Sequence, residues 1–162
     1  MIASTLCYIE RGNQYLMLHR TKKENDANRD KWIGIGGRIE PNETPLACIL
    51  REAREETGLI LKDCCYRGIV DFFSDVWPQE QMHLFTATDF EGMLIACDEG
   101  DLAWIDKSRL MELTLWEGDR IFLRLLDSKA PFFHLTLEYR GDTLHSATLD
   151  GKRLSLGKGD AS

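Results

Sequence analysis

Glu52, Glu55 and Glu56 stand at i, i+3 and i+4 of one segment. At roughly 100° per residue, that spacing places three carboxylates on one face of a helix. Like charges one turn apart weaken a helix by about 0.2–0.5 kcal/mol per pair. The set therefore reads either as a solvated acidic stripe or as a place where cations gather. Hard carboxylate oxygens suit Mg²⁺ or Mn²⁺, which keep several waters and complete their shell with substrate phosphate oxygens. Charge elsewhere is equally uneven. Residues 89–101 hold five acidic side chains and no Lys or Arg, whereas Arg20, Lys22, Lys23, Arg29 and Lys31 outnumber the acids of residues 20–31. The basic stretch is either a solvated loop or a loop that faces phosphate.

The elements that must position these groups are written in the local signals. Thr44 is suited to cap a helix, Pro45 to its first turn and Gly58 to its C-terminal stop, which predicts a helix from Pro45 to Thr57. Leu46, Ile49, Leu50 and Ala53 form an apolar stripe separate from the glutamates, so one face is expected to be buried and the other presented. Thr5–Ile9 and Tyr15–Leu18 flank Gly12-Asn13 as a hairpin, and Trp32–Gly37 is a short extended stretch rich in glycine. Further strands are predicted at Gly68–Phe73, His83–Ala87 and Leu102–Ile105. A second helix is predicted at Glu117–Asp127, and a last hairpin pairs Phe132–Tyr139 with Thr143–Leu149.

At 162 residues with 43% apolar side chains, the chain has the size and composition of one folded domain. We expect residues 1–156 to form it and residues 157–162 to be a flexible tail. A net charge of −7 disfavours a nucleic-acid polymer or an anionic membrane as partner. It leaves room for a nucleotide held through a divalent cation. No basic leader or membrane-length apolar run is present, so a cytoplasmic protein is expected, as monomer or homodimer. The five cysteines are odd in number and lack any C-x-x-C pair, as expected of free thiols in a reducing compartment.

Around the three glutamates the chain reads Gly37, five residues, Glu43, seven residues, then Arg51-Glu52-Ala53-Arg54-Glu55-Glu56-Thr57-Gly58-Leu59. This resembles the Nudix box of the Nudix hydrolases at every fixed position, with Ala53 where a larger aliphatic is commoner. The resemblance implies an α/β class fold, a Nudix-type α/β/α sandwich with a mixed β-sheet. It implies Mg²⁺-dependent hydrolysis of nucleoside diphosphates linked to another group. Glu52, Glu55 and Glu56 would be metal ligands, with a backbone carbonyl from Gly36 or Gly37, and Glu55 or Glu56 could take the proton of the attacking water. Arg51 and Glu43 would be a buried pair bracing loop against helix, with Gly58 closing the motif.

Beyond the box, Trp32–Arg38, Asp98-Glu99, Leu115–Asp119 and Pro131–Phe133 resemble the MutT-type enzymes that cleave oxidised purine nucleoside triphosphates such as 8-oxo-dGTP. The likeness makes Glu99 a further metal or base candidate and Lys23 a phosphate contact. Trp116 would stack on a purine, Asp119 would bond its edge, and Phe72 would line the other side. Two positions depart: Ile33 stands where the animal enzyme has Asn, and Gly118 where it has a second Asp. Trp77 matches no role in the family. The expected activity is conversion of a nucleoside triphosphate to monophosphate and pyrophosphate, cleansing the nucleotide pool. The alternatives are a nucleotide sugar, a dinucleoside polyphosphate or an undamaged nucleotide as substrate, or a module that binds nucleotide without turnover. The intact glutamate set argues against the last.

Overall fold

The computed structural model describes residues 1–22 and 26–156. Strands β1 (Ile2–Arg11) and β2 (Gln14–Arg20) form the expected antiparallel hairpin, turned at Gly12 with φ 60°. Both strands are apolar at successive positions, the pattern of a strand covered on both faces. Alternation along them feeds two cores. Leu6, Tyr8, Tyr15 and Met17 enter one with Phe122, Leu123 and Leu126 of helix α2 (Glu117–Asp127). Cys7, Ile9, Leu16 and Leu18 enter the other with Ile49 and Ala53 of helix α1 (Pro45–Thr57). The result is an α/β/α sandwich.

The nine-stranded sheet is mixed. Added to β1 and β2 are β3 (Trp32–Ile33), β5 (Cys65–Ser74), β6 (Glu80–Ala87), β8 (Gly100–Asp106), β9 (Phe133–Arg140), β10 (Thr143–Leu149) and β11 (Lys152–Arg153). The order is β11-β10-β9-β5-β6-β1-β2-β3, with β8 also paired to β2. The β1–β6 and β5–β9 pairs are parallel and the rest antiparallel. Strands β4 (Ile60–Leu61) and β7 (Phe90–Glu91) make a separate ribbon beyond α1, and a 3₁₀ turn covers Lys107–Glu112.

Helix α1 keeps the bounds read from its caps. Thr44 Oγ1 accepts the Ala47 N–H at 3.1 Å, and Gly58 takes φ 81° while its N–H donates to the Arg54 carbonyl at 3.0 Å. The face it buries differs from the expected apolar stripe. Cys48, Ile49, Ala53, Glu56 and Thr57 are buried, whereas Leu46 and Leu50 are 47% and 37% exposed. The helix is rotated so that Glu56, not Leu50, turns inward. No helix among the described residues is long and apolar enough to cross a membrane, and the cysteines are free thiols.

Candidate active site

Helix α1, the loop after β3 and the segment before β8 meet at a cleft of about 720 Å³. Its lining includes the charged groups Arg20, Arg38, Glu52, Glu56 and Glu99, and the aromatic side chains Phe72, Trp77, Trp116 and Tyr139.

The carboxylates are held in different ways. Arg51 Nη1 donates to Glu52 at 2.6 Å, and Arg20 Nη1 pairs with Glu99 at 2.6 Å. Glu56 is 7% exposed, and its Oε1 is buried with no hydrogen-bond partner. Burial first, then the charges of Glu99 and Glu52, push its carboxyl up to about 9. A buried carboxyl facing two others, with one oxygen unmatched, is a group that a cation would complete. Glu55 is not brought into the cleft. Its side chain is 55% exposed and its carboxylate accepts from Arg51 at 2.8 Å. Among the described residues no closed cage of three His, Cys, Asp or Glu ligands is preassembled. The arrangement therefore fits a hard cation that keeps waters and takes phosphate oxygens.

Gly36 and Gly37 both line the cleft, and their carbonyls differ in hydrogen bonding. The Gly37 carbonyl accepts the Thr5 N–H at 2.9 Å and the Thr5 hydroxyl at 3.3 Å. The Gly36 carbonyl has no such partner among the described residues, which makes it the less engaged of the two candidates for a cation. A Cβ at Gly37 would lie 2.4 Å from Glu52 Oε2, so a side chain there would displace the Glu52 carboxylate from its present position. Arg51 chelates Glu43 at 2.7 and 3.0 Å and reaches the Arg38 carbonyl at 3.2 Å. Loop and helix are thus tied as expected, although Arg51 is 26% and Glu43 13% exposed where a buried pair was anticipated. Arg51 bonding first, then the Glu40 N–H, holds the Glu43 carboxyl down to about 2. Lys23 lies outside the described residues. The cation seen in the cleft on that side is Arg20, held between Asp26 and Glu99 at 2.6 Å each.

Trp116, Asp119 and Phe72 all reach the cleft. Trp116 is fixed by its Nε1–H bond to Asn28 Oδ1 at 2.8 Å, and the Lys31 ammonium lies 4.8 Å from its ring centroid. Asp119 is 4% exposed, and burial pushes its carboxyl up to about 8 against the opposing charges of Lys31 and Arg120. Burial thus favours its neutral form, which can donate as well as accept. Phe72 also packs on the α2-side core, so it serves both cleft and core. Gly118 has a steric cause: a Cβ there would sit 2.4 Å from Leu137 Cδ1 and 2.7 Å from the Tyr139 hydroxyl.

Sequence reasoning missed Asn28, Trp77 and Tyr139 as cleft residues, whereas Arg20 belongs to the basic stretch read as either a solvated or a phosphate-facing loop. Trp77, 42% exposed, stands in the β5–β6 loop, where its N–H and that of Val76 both donate to Ser74 Oγ at 3.0 Å. An exposed Trp beside a Pro in a hairpin loop was the available signal.

A sandwich with this glycine loop and carboxylate helix defines a class of hydrolases, and comparison with known proteins names it. Residues 2–126 match the NUDIX domain, so the chain belongs to the Nudix family and is a Nudix hydrolase. A Nudix hydrolase of Bacillus subtilis, YvcI, is 25% identical over 140 residues, 83% of this chain and 85% of its own. The oxidized purine nucleoside triphosphate hydrolase of Danio rerio is 28% identical, covering 68% of this chain and 71% of its own. The CTP pyrophosphohydrolase of Escherichia coli is 27% identical, covering 74% and 86%. A MutT mutator protein from Bacillus halodurans superimposes with a TM-score of 0.82 at 27% identity, covering 93% of this chain and 98% of its own.

Proposed function

We propose that this chain is a Mg²⁺-dependent pyrophosphohydrolase that converts nucleoside triphosphates, with oxidised purines such as 8-oxo-dGTP foremost, to monophosphate and pyrophosphate. The observation that carries it is Glu56, buried with an unmatched oxygen beside Glu52 and Glu99, in the same cleft as Trp116 and Asp119. Glu52, Glu56, Glu99 and the Gly36 carbonyl would hold Mg²⁺, with Mn²⁺ able to replace it. Glu55 stays in the proposed set through its position in the Nudix box alone, since its side chain is exposed and outside the cleft lining. When bound, the metal supplies charge neutralisation on the polyphosphate and an oriented, acidified water.

The chain's own groups do the rest. Arg38 sets positive charge in the cleft against the phosphates, with Lys23 as a phosphate contact, while Arg20 is paired with Asp26 and holds Glu99 in place. A glutamate of α1 takes the proton of the attacking water. Trp116 gives the base an aromatic surface, Phe72 borders it, and the protonated Asp119 bonds its edge. We take residues 1–156 as the working unit, acting on a small nucleotide in the cytoplasm as monomer or homodimer and cleansing the nucleotide pool.

An undamaged nucleotide is the second reading. Ile33 and Gly118 remove two polar side chains from the base side, and the Escherichia coli relative bears the name CTP pyrophosphohydrolase. Pyrophosphate release measured with Mg²⁺ on 8-oxo-dGTP, dGTP, CTP, ADP-ribose and dinucleoside polyphosphates separates these. A tenfold preference for 8-oxo-dGTP supports the first reading and a tenfold preference for CTP the second. ADP-ribose preferred tenfold refutes both, and no turnover on any substrate favours a binding module.

A further inference from the structure

The first turn of α2 lacks a cap of its own. Trp116 sits at the N-cap position and makes no side-chain bond to the turn, so the free N–H groups need acceptors from elsewhere. The buried Gly118 N–H finds one in the Tyr139 hydroxyl at 2.7 Å, reaching in from β9. That phenol fills the space a side chain at 118 would occupy. Tyr139 is 7% exposed, stands edge-on to Trp116 with centroids 5.2 Å apart, and lines the cleft together with Trp116 and Asp119.

A phenol carries one proton to donate and lone pairs to accept. Gly118 engages a lone pair, and no described residue accepts the proton. Burial pushes the ionisation of Tyr139 well up, so the hydroxyl keeps that proton across the working range. The Tyr139 hydroxyl therefore gives this wall of the cleft a fixed donor beside Asp119, which can both donate and accept when protonated. A base edge with an acceptor opposite Tyr139 satisfies that donor, while one with an N–H group there leaves two donors opposed.

We propose that Tyr139 is a base-selecting residue: its hydroxyl, braced by the Gly118 N–H, donates to a carbonyl oxygen or ring nitrogen of a nucleobase lying against Trp116. The inference rests on the reading that the cleft takes a nucleotide with its base at Trp116. Strand β9 lies outside the matched residues 2–126, so the selecting group comes from the strands that follow the matched domain.

Steady-state kinetics of the wild type and Tyr139→Phe on a series of nucleoside triphosphates, with ribose 5′-triphosphate as a base-free control, test this. For the best wild-type substrate, Tyr139→Phe is expected to raise KM about tenfold, with the loss in KM rather than kcat. The spread of kcat/KM among bases narrows, and the base-free triphosphate loses no more than about twofold. An equal loss on the base-free compound, or an unchanged ranking of bases, overturns the proposal. The wild type alone gives a second measurement, independent of how the variant folds. An analogue of its best substrate with the acceptor replaced by C–H should lose about tenfold, and full activity with every such analogue overturns the proposal. If the wild type cleaves ADP-ribose or dinucleoside polyphosphates but no triphosphate, the triphosphate reading alone fails. The base ranking of Tyr139→Phe is then decided on the cleaved class.

Discussion

Arg51 grips both oxygens of Glu43 while its remaining nitrogen reaches Glu52 and Glu55. One guanidinium thus fixes the loop, the helix and two carboxylates of the candidate metal face. Lysine has a single point of attachment and cannot reproduce this fork. Arg51→Lys should lower kcat about tenfold and the melting temperature by about 3 °C. A variant with wild-type kcat would show that the fork does not orient the carboxylates.

The same pair predicts an acid signature. Glu43 is held down to about 2 in the folded chain against an ordinary 4.5. A depressed carboxyl stabilises fully above its unfolded value and loses that contribution as pH falls through its folded one. The melting-temperature difference between wild type and Glu43→Gln should be largest above pH 5 and vanish near pH 2. Melts in citrate and phosphate buffers over that range measure it, and a difference independent of pH would mean that charge is not the brace.

Glu56 works in the opposite sense. Its raised value of about 9 means that the metal-free fold is favoured below about pH 4.5 and loses stability as pH climbs towards 9. Glu56→Gln should therefore be more stable than the wild type at pH 8 in EDTA, by on the order of 2 kcal/mol. Mg²⁺ should reverse that ranking by stabilising only the wild type. The kcat of Glu56→Gln should fall at least a hundredfold. Thermal melts with and without Mg²⁺ decide the matter, and equal Mg²⁺ stabilisation of both proteins would remove Glu56 from the metal set.

Asp119 offers a titration on the substrate side. With its carboxyl at about 8, KM for the preferred nucleotide should change between pH 7 and 9 as the proton leaves. Asp119→Asn should flatten that profile. An inflection retained in the variant would assign it to another group.

Trp116→Ala should raise KM for nucleotides about tenfold with little change in the Mg²⁺ concentration needed for half activity. An unchanged KM would return Trp116 to a packing role.

The parts legible in the sequence were those set by local chemistry. Thr44, Pro45 and Gly58 act within a turn of their own positions, so α1 could be bounded to the residue, and its glutamate spacing followed. Which face of α1 turns inward was not legible. Leu50 looks like core and Glu56 like surface until the cleft between α1, Gly37 and Glu99 exists to receive a carboxyl. Tyr139 and Asn28 were invisible for a similar reason. Their partners, Gly118 and Trp116, lie 21 and 88 residues away in the chain. Strands of two residues such as β4 and β7 carry too little pattern to be read without their partners.

The parallel pairing of β5 with β9 has a consequence for how the chain reaches this state. Gly68 and Phe133 are register partners 65 residues apart. A parallel contact of that separation must close a long loop before it gains anything, which slows folding. During synthesis the residues that match the Nudix domain emerge first, exposing the β5 edge and an aromatic cleft that still lacks Tyr139. On this order Tyr139 is expected to join the cleft among the last steps of folding. Destabilising changes in β9 and β10 should show themselves first as aggregation of newly made chains.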